Sequence, residues 1–112
     1  MMIEEILLNY LSGCLSVPVY TEESGDMPER YVLIDKTGGG GKAYMKEATV
    51  AIQSYAESLY EAAALNEQVK EKMYMIIELD NISKCSLNSD YEYTDTSRKK
   101  YRYQAVFDFV FF

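Results

Sequence analysis

Histidine and tryptophan are absent from the chain. The first absence removes the side chain that most often acts as general base, activates a nucleophile or ligates a metal. Cysteine is scarce, with Cys14 and Cys85 the only two among 112 residues. Their separation rules out a CxxC zinc or redox motif, and two thiols cannot build a disulfide framework. Free, mostly buried thiols in a reducing compartment are therefore expected. Positive charge is in deficit, 11 Lys and Arg against 18 Asp and Glu, for a net −7. That balance argues against general nucleic-acid binding, which needs a basic footprint. No apolar run approaches the roughly 20 residues of a membrane span. Glu4 and Glu5 stand where an export signal would be basic, so neither a membrane span nor an export signal is expected.

What the chain does have is tyrosine, 11 of them, within 48% hydrophobic and 26% charged residues. That is the composition of one globular domain with a real core. Tyrosine suits half-buried strand positions and protein interfaces, because one end of it is apolar and the other wet. The most regular pattern lies at the end of the chain. Tyr101, Tyr103, Ala105, Phe107, Phe109 and Phe111 alternate with Arg102, Gln104, Val106, Asp108, Val110 and Phe112. Successive strand residues point to opposite faces, so this is one long strand with an aromatic face, expected to be core throughout, and a mixed face. The mixed face, with polar groups among valines, suits contact with a partner better than contact with water.

From the start, Ile3, Ile6, Leu7, Tyr10 and Leu11 form one helical stripe over Met1 to Ser12, with Gly13 as its stop. Val17 to Tyr20 is a short extended segment that Pro18 confines to an edge or a strand end. Arg30–Thr37 and Ala43–Ser54 are expected strands of a hairpin, the first an interior strand, with Gly38–Gly41 as a mobile loop at the tip. Ser58 to Leu79 reads as the longest helix, with a continuous apolar face through Leu59, Ala62, Ala63, Val69, Met73, Ile76 and Ile77. Ser54/Glu57 and Ser58/Glu61 both have capping-box spacing at its start. Ile82–Thr96 is polar, with a strand at Tyr91 and Tyr93. The order α-β-β-β-α-β-β specifies a single two-layer α+β domain over residues 1–112. In it an antiparallel sheet carries one long helix on a face and a short N-terminal helix.

No catalytic constellation emerges. Gly38–Gly41 followed by Lys42 imitates a phosphate loop, but Lys36 stands where the first Walker A glycine belongs and Ala43 where Ser or Thr is required. Asp90, Glu92 and Asp95 lack calcium-loop spacing and read as a solvated strand face. Arg98, Lys99, Lys100 and Arg102, interleaved with Tyr101 and Tyr103, form the one basic patch. It could stack single-stranded nucleic acid, but the glycines of an RNA-recognition signature are missing. A charged strand entry with acidic neighbours is the favoured reading. No cofactor, no metal and no enzymatic activity are expected.

The order and spacing of these segments resemble the tail-terminator (tail-completion, minor tail protein) family of long-tailed bacteriophages, over nearly the whole chain. The likeness rests on the N-terminal helix, Val17-Pro18-Val19-Tyr20 and Pro28 to Asp35 leading into glycine. It continues through the strand ending Ile52-Gln53-Ser54-Tyr55-Ala56, an alanine-containing long helix and Asp95 to Tyr103 opening the last strand. The glycine tract is longer than the family leads one to expect. The resemblance implies a small α+β protein that forms a ring, usually hexameric, on the head-proximal end of the tail. The ring halts polymerisation of the tail tube protein and docks to the head-tail connector protein. DNA would pass through without sequence-specific binding, no membrane would be involved, and assembly would take place in the host cytoplasm. An acidic ring would repel the DNA backbone rather than grip it. The expected interface comprises Arg98, Arg102, Gln104 and Asp108 with Gly38, Gly39, Gly40 and Gly41. Two alternatives stand beside this: another neck component (a head-closure or adaptor protein), and a cytosolic ligand-binding or regulatory α+β domain.

Overall fold

The computed structural model describes residues 2–42, 45–97 and 100–112. Along the chain they form α1 (Ile3–Cys14), β1 (Val19–Tyr20), β2 (Tyr31–Lys42), β3 (Met45–Ala56) and α2 (Leu59–Met73). A 3-10 turn (Ile76–Glu78), β4 (Ile82–Glu92) and β5 (Tyr101–Phe111) follow. The strands make one sheet in the order β1-β2-β3-β5-β4, antiparallel except for β1 against β2. Helix α2 packs on β3 and β5, and α1 on β1 and β2. The fold is therefore the two-layer α+β arrangement that the sequence predicts. Met1, Ala43, Arg98 and Lys99, which figure in the sequence expectations, lie outside the described residues.

The core forms where the two apolar periodicities meet. Val32, Ile34, Ala48, Val50, Ile52, Ala105, Phe107, Phe109 and Phe111 project from one sheet face. Leu65, Val69, Met73 and Ile76 meet them from the α2 region, and Ile3, Ile6, Leu7 and Leu11 from α1. The aromatic stripe of β5 is core only from Ala105 onward. Tyr103 is half-buried and Tyr101 is 40% exposed, which corrects the expectation of an aromatic face buried throughout. The physical reason is that β3 leaves the sheet at Ala56, opposite Tyr101, so that end runs past the packed layer. Phenol rings tolerate such a place because their hydroxyls stay wet.

Helix α1 runs on through Gly13 to Cys14 and closes at Leu15, whose N–H reaches the Leu11 carbonyl at 2.9 Å. Gly13 is thus a helical residue, not a stop, and a Cβ there would meet nothing within 4 Å. Gly13→Ala is expected to stabilise the protein by about 0.5–1 kcal/mol, read by denaturant titration, because alanine loses less backbone entropy in a helix. A destabilised variant would refute that account of the position.

At the start of α2, the Ser58 hydroxyl accepts the Glu61 N–H at 3.2 Å, which decides between the two capping-box spacings. The Glu61 carboxylate does not reach back; it lies 3.3 Å from Arg30. The helix ends at Met73 rather than Leu79, and the chain tightens into the 3-10 turn. That change of period keeps Ile76 buried but leaves Ile77 56% exposed; at the other end Leu59, the first residue of the helix, is 41% exposed. The apolar face is accordingly shorter than the sequence suggests. The Tyr10 hydroxyl donates to the Lys72 carbonyl at 2.7 Å, tying α1 to the last turn of α2. Desolvation, with Cys14 close by, pushes the Tyr10 pKa up to about 12.

Both cysteines are free thiols, and Cys14 is exposed rather than buried. Burial pushes the half-buried Cys85 up to about 11. In a thiol-labelling time course Cys14 should react first and Cys85 at least ~10-fold more slowly, since the thiolate is the reactive form. Equal rates would contradict this placement.

The glycine tract is the largest departure from expectation. Gly38–Gly41 is not a loop; it continues β2 and pairs residue for residue with β3, Gly38 with Thr49 through Gly41 with Lys46. The ladder supplies by main-chain hydrogen bonds what the missing side chains cannot supply by packing. The hairpin strands are therefore Tyr31–Lys42 and Met45–Ala56, longer than the expected 30–37 and 43–54. Among the described residues β2 is interior only where β1 pairs with it, at Val32 and Leu33. Pro18 does sit beside that edge, its carbonyl accepting the Val32 N–H at 3.0 Å.

Candidate assembly surface

The face of the sheet opposite the helices bears no helix among the described residues. The register aligns its side chains in cross-strand rows. Tyr31, Tyr55 and Arg102 make one row; Leu33, Gln53, Gln104 and Tyr91 the next; Asp35, Ala51, Val106 and Ser89 the third. Beyond a bulge between Lys36 and Gly38 come Gly38, Thr49, Asp108 and Ser86, then Gly40, Glu47, Val110 and Lys84.

The first two rows are closed by their own chemistry. The Tyr31 and Tyr55 rings stack at 4.4 Å and are 1% and 2% exposed. Tyr20 meets Tyr31 edge-on at 5.9 Å. The Tyr31 hydroxyl donates to Glu23 at 2.9 Å, and Lys100 donates to the same Glu23 at 3.0 Å and to the Tyr31 oxygen at 3.2 Å. A relay then crosses the sheet. The Tyr55 hydroxyl donates to Gln53 Oε1 at 2.9 Å, Gln53 Nε2 to Gln104 Oε1 at 2.8 Å, and Gln104 Nε2 to the Tyr91 oxygen at 2.5 Å. Arg102 donates to the Tyr55 oxygen at 2.8 Å and to the Tyr93 carbonyl, with its guanidinium 4.2 Å from the Tyr93 ring centroid. Ring faces and oxygen dipoles thus meet its charge. Two buried amides on an uncovered face are tolerable only because each finds partners within the sheet.

The far rows are open. Val106 and Val110 are half-buried, with Asp108 between them. Asp108 accepts from the Thr49 hydroxyl at 2.7 Å and from the Asn88 amide at 2.9 Å. A groove of about 340 Å³ runs past Gly39, Gly40, Glu47, Thr49, Lys84 and Asp108. It exists because the glycines contribute no side chains to it.

The hydrogen bonds from Asn88 and Thr49 hold the Asp108 carboxyl below its ordinary range. A depressed folded pKa means that this group stabilises the fold above its unfolded value, about pH 3.9. The contribution is lost as pH falls through the folded value. Asp108→Asn should therefore lower the melting temperature at pH 7 by more than it does at pH 3. An equal difference at both pH values would dissociate the carboxylate from the stability of this row.

Of the expected interface residues, the structure brings Arg102, Gln104 and Asp108 to this face together with Gly38 and Gly40, while Gly39 pairs with Ala48 of the helix face. Arg98 lies outside the described residues. Gln104, 8% exposed, is spent within the chain, and so is most of Arg102. Among the described residues Asp90 is not part of an acidic face: it binds Lys70 at 2.5 Å and Asn66 at 2.7 Å on the helix side. Sequence reading missed Tyr31, Gln53, Tyr55 and Tyr91 as members of one network. Their only signal is register between segments distant along the chain. The sequence matches no protein-family model, and it matches no curated protein.

Proposed function

We propose that this protein is a structural component of a phage tail that closes into a ring, caps the tail tube at its head-proximal end and presents a docking face to the head connector. The observation that carries the reading is the uncovered half of the sheet. There, half-exposed Val106 and Val110 lie beside a carboxylate already oriented by two donors. Such a surface excludes water from directional bonds once a partner covers it, the anatomy of an interface core with a polar rim. A monomer charge of −7, repeated around a ring, would keep the DNA backbone off the walls of a central channel.

The test is electron microscopy of the purified protein, alone and mixed with tail tubes. Rings, or caps confined to one tube end with elongation arrested, are the expected result. A protein that stays monomeric, leaves tubes growing and melts higher only with a small molecule would favour a ligand-binding domain. One feature speaks for that second reading: a groove of about 270 Å³ beside Tyr31, Tyr55 and Lys100. Against it, both rings are stacked on each other and Lys100 is paired with Glu23, so few groups remain for a ligand.

A further inference from the structure

We infer that the seam of the assembly is a strand pairing, in which β4 of one copy adds antiparallel to the outer edge of β2 of the next, along residues 35–42. This rests on the ring reading above and specifies the surface that would close it.

Among the described residues both outer edges of the sheet are open over a long stretch. β1 covers β2 only at Val32 and Leu33, and β4 pairs with β5 alone among the named strands. From Asp35 to Lys42, alternate residues of β2 therefore present N–H and C=O groups away from β3, with no strand among the described residues to receive them. An edge of this kind recruits another strand unless charge, proline or a covering element guards it. Asp35, Lys36 and Lys42 put charge at the two ends of this stretch, but neither charge nor proline occurs in Gly38–Gly41 between them. Nor does the chain's own packing require glycine at each of these positions. A Cβ at Gly40 would meet nothing within 4 Å, and one at Gly38 only Thr49 at 4.0 Å. Glycine in a strand interior is costly, and it commonly marks a place where another backbone comes close.

The sheet itself supplies the occupant. β2 runs against β3, β3 against β5 and β5 against β4, so β4 runs against β2. Copies related by rotation about an axis along the strands keep that sense, and β4 of one then meets β2 of the next antiparallel. The helices of every copy remain on the same side of the extended sheet, clear of the seam. The edge of β4 is suited to close approach. It pairs regularly with β5 from Lys84 to Leu87, and its residues include Ser83, Ser86, Asn88 and Ser89. β2 pairs equally regularly with β3 from Gly38 to Lys42. Charge complements the fit, with Glu47 in the Gly40 row and Lys84 at the other end of the same row.

The test is amide hydrogen exchange on the full chain, assembled and dissociated. Residues 38–42 and 84–87 should both exchange at least ~10-fold more slowly in the assembly, since a paired edge is protected and an open one is not. Gly39→Pro and Gly40→Pro provide a second reading. Alternate N–H groups face outward, so one of the two removes a donor from the seam. That variant should keep the parent circular dichroism and associate at least ~10-fold more weakly, in proportion to the lost pairing. Rings whose residues 38–42 and 84–87 exchange as fast as in the monomer would overturn the strand pairing and leave the ring reading standing. Protection of 38–42 without 84–87 would also overturn it, by showing that another segment occupies the edge. A chain that stays monomeric both alone and with tail tubes would overturn both readings.

Discussion

Phe107→Ala should remove about 3–5 kcal/mol of stability, the range for truncating a large buried aromatic. The ring is 1% exposed and sits in the middle of β5, opposite Val50 on β3 and Leu87 on β4, with the Phe109 ring 6.3 Å away. Removing it leaves a void under α2 that close-packed neighbours fill only in part. Domains of this size hold roughly 5–15 kcal/mol in total, so the variant should melt roughly 10 °C or more below the parent. Urea titration followed by far-ultraviolet circular dichroism measures this, with the midpoint moving and the slope unchanged. Phe112→Ala is the control: that ring is 48% exposed and its loss should fall within about 0.5 kcal/mol. Similar costs for the two would mean that the layer over Ala105–Phe111 is not the core.

The second large effect is at Gly41, and its value lies in the contrast with its neighbours. Gly41 has φ +126°, and a Cβ there would stand 2.4 Å from the Met45 carbonyl oxygen and 2.7 Å from the Lys46 Cα. Both obstacles are backbone, so the end of the hairpin must open to admit a methyl group. Gly41→Ala should cost about 2–4 kcal/mol. Gly40→Ala and Gly38→Ala have room, and should be neutral or stabilising by up to about 1 kcal/mol through the unfolded chain. Denaturant titration of the three variants decides the matter. Three equal, small effects would restore the picture of a slack glycine loop.

That contrast marks where sequence reasoning stops. Alternation in Tyr101–Phe112, the α1 stripe, Pro18 at an edge and a serine cap for α2 are local patterns, and the structure realises each of them. Gly38–Gly41 carries no pattern to read, because its conformation is imposed by the backbone of β3 rather than by its own side chains. The extent of the core along β5 depends on where α2 lies, so Tyr101 and Phe107 look alike in sequence and differ in burial. The relay from Tyr55 to Tyr91 joins residues brought together by register, and register is invisible until strands are paired. Polar residues on the mixed face were legible as a group. Which of them are consumed within the chain, as Gln104 is, and which remain for a partner was not.

The position of β5 in the sheet has a consequence for biosynthesis. Of the elements described, it emerges last from the ribosome, yet it lies between two strands made before it. Until it arrives, β3 and β4 have no common neighbour, and the apolar side of α2 has no Phe107, Phe109 or Phe111 to rest on. The nascent chain can form the β2–β3 hairpin and its helices, but not the layer that unites them. Folding is therefore held back until translation of the final strand is done, a wait spent with two unsatisfied strand edges and exposed apolar side chains. Stalling or premature termination within this strand would leave β3 and β4 without their shared neighbour and the helices without Phe107, Phe109 and Phe111, a chain with no closed core and a substrate for chaperones and proteases.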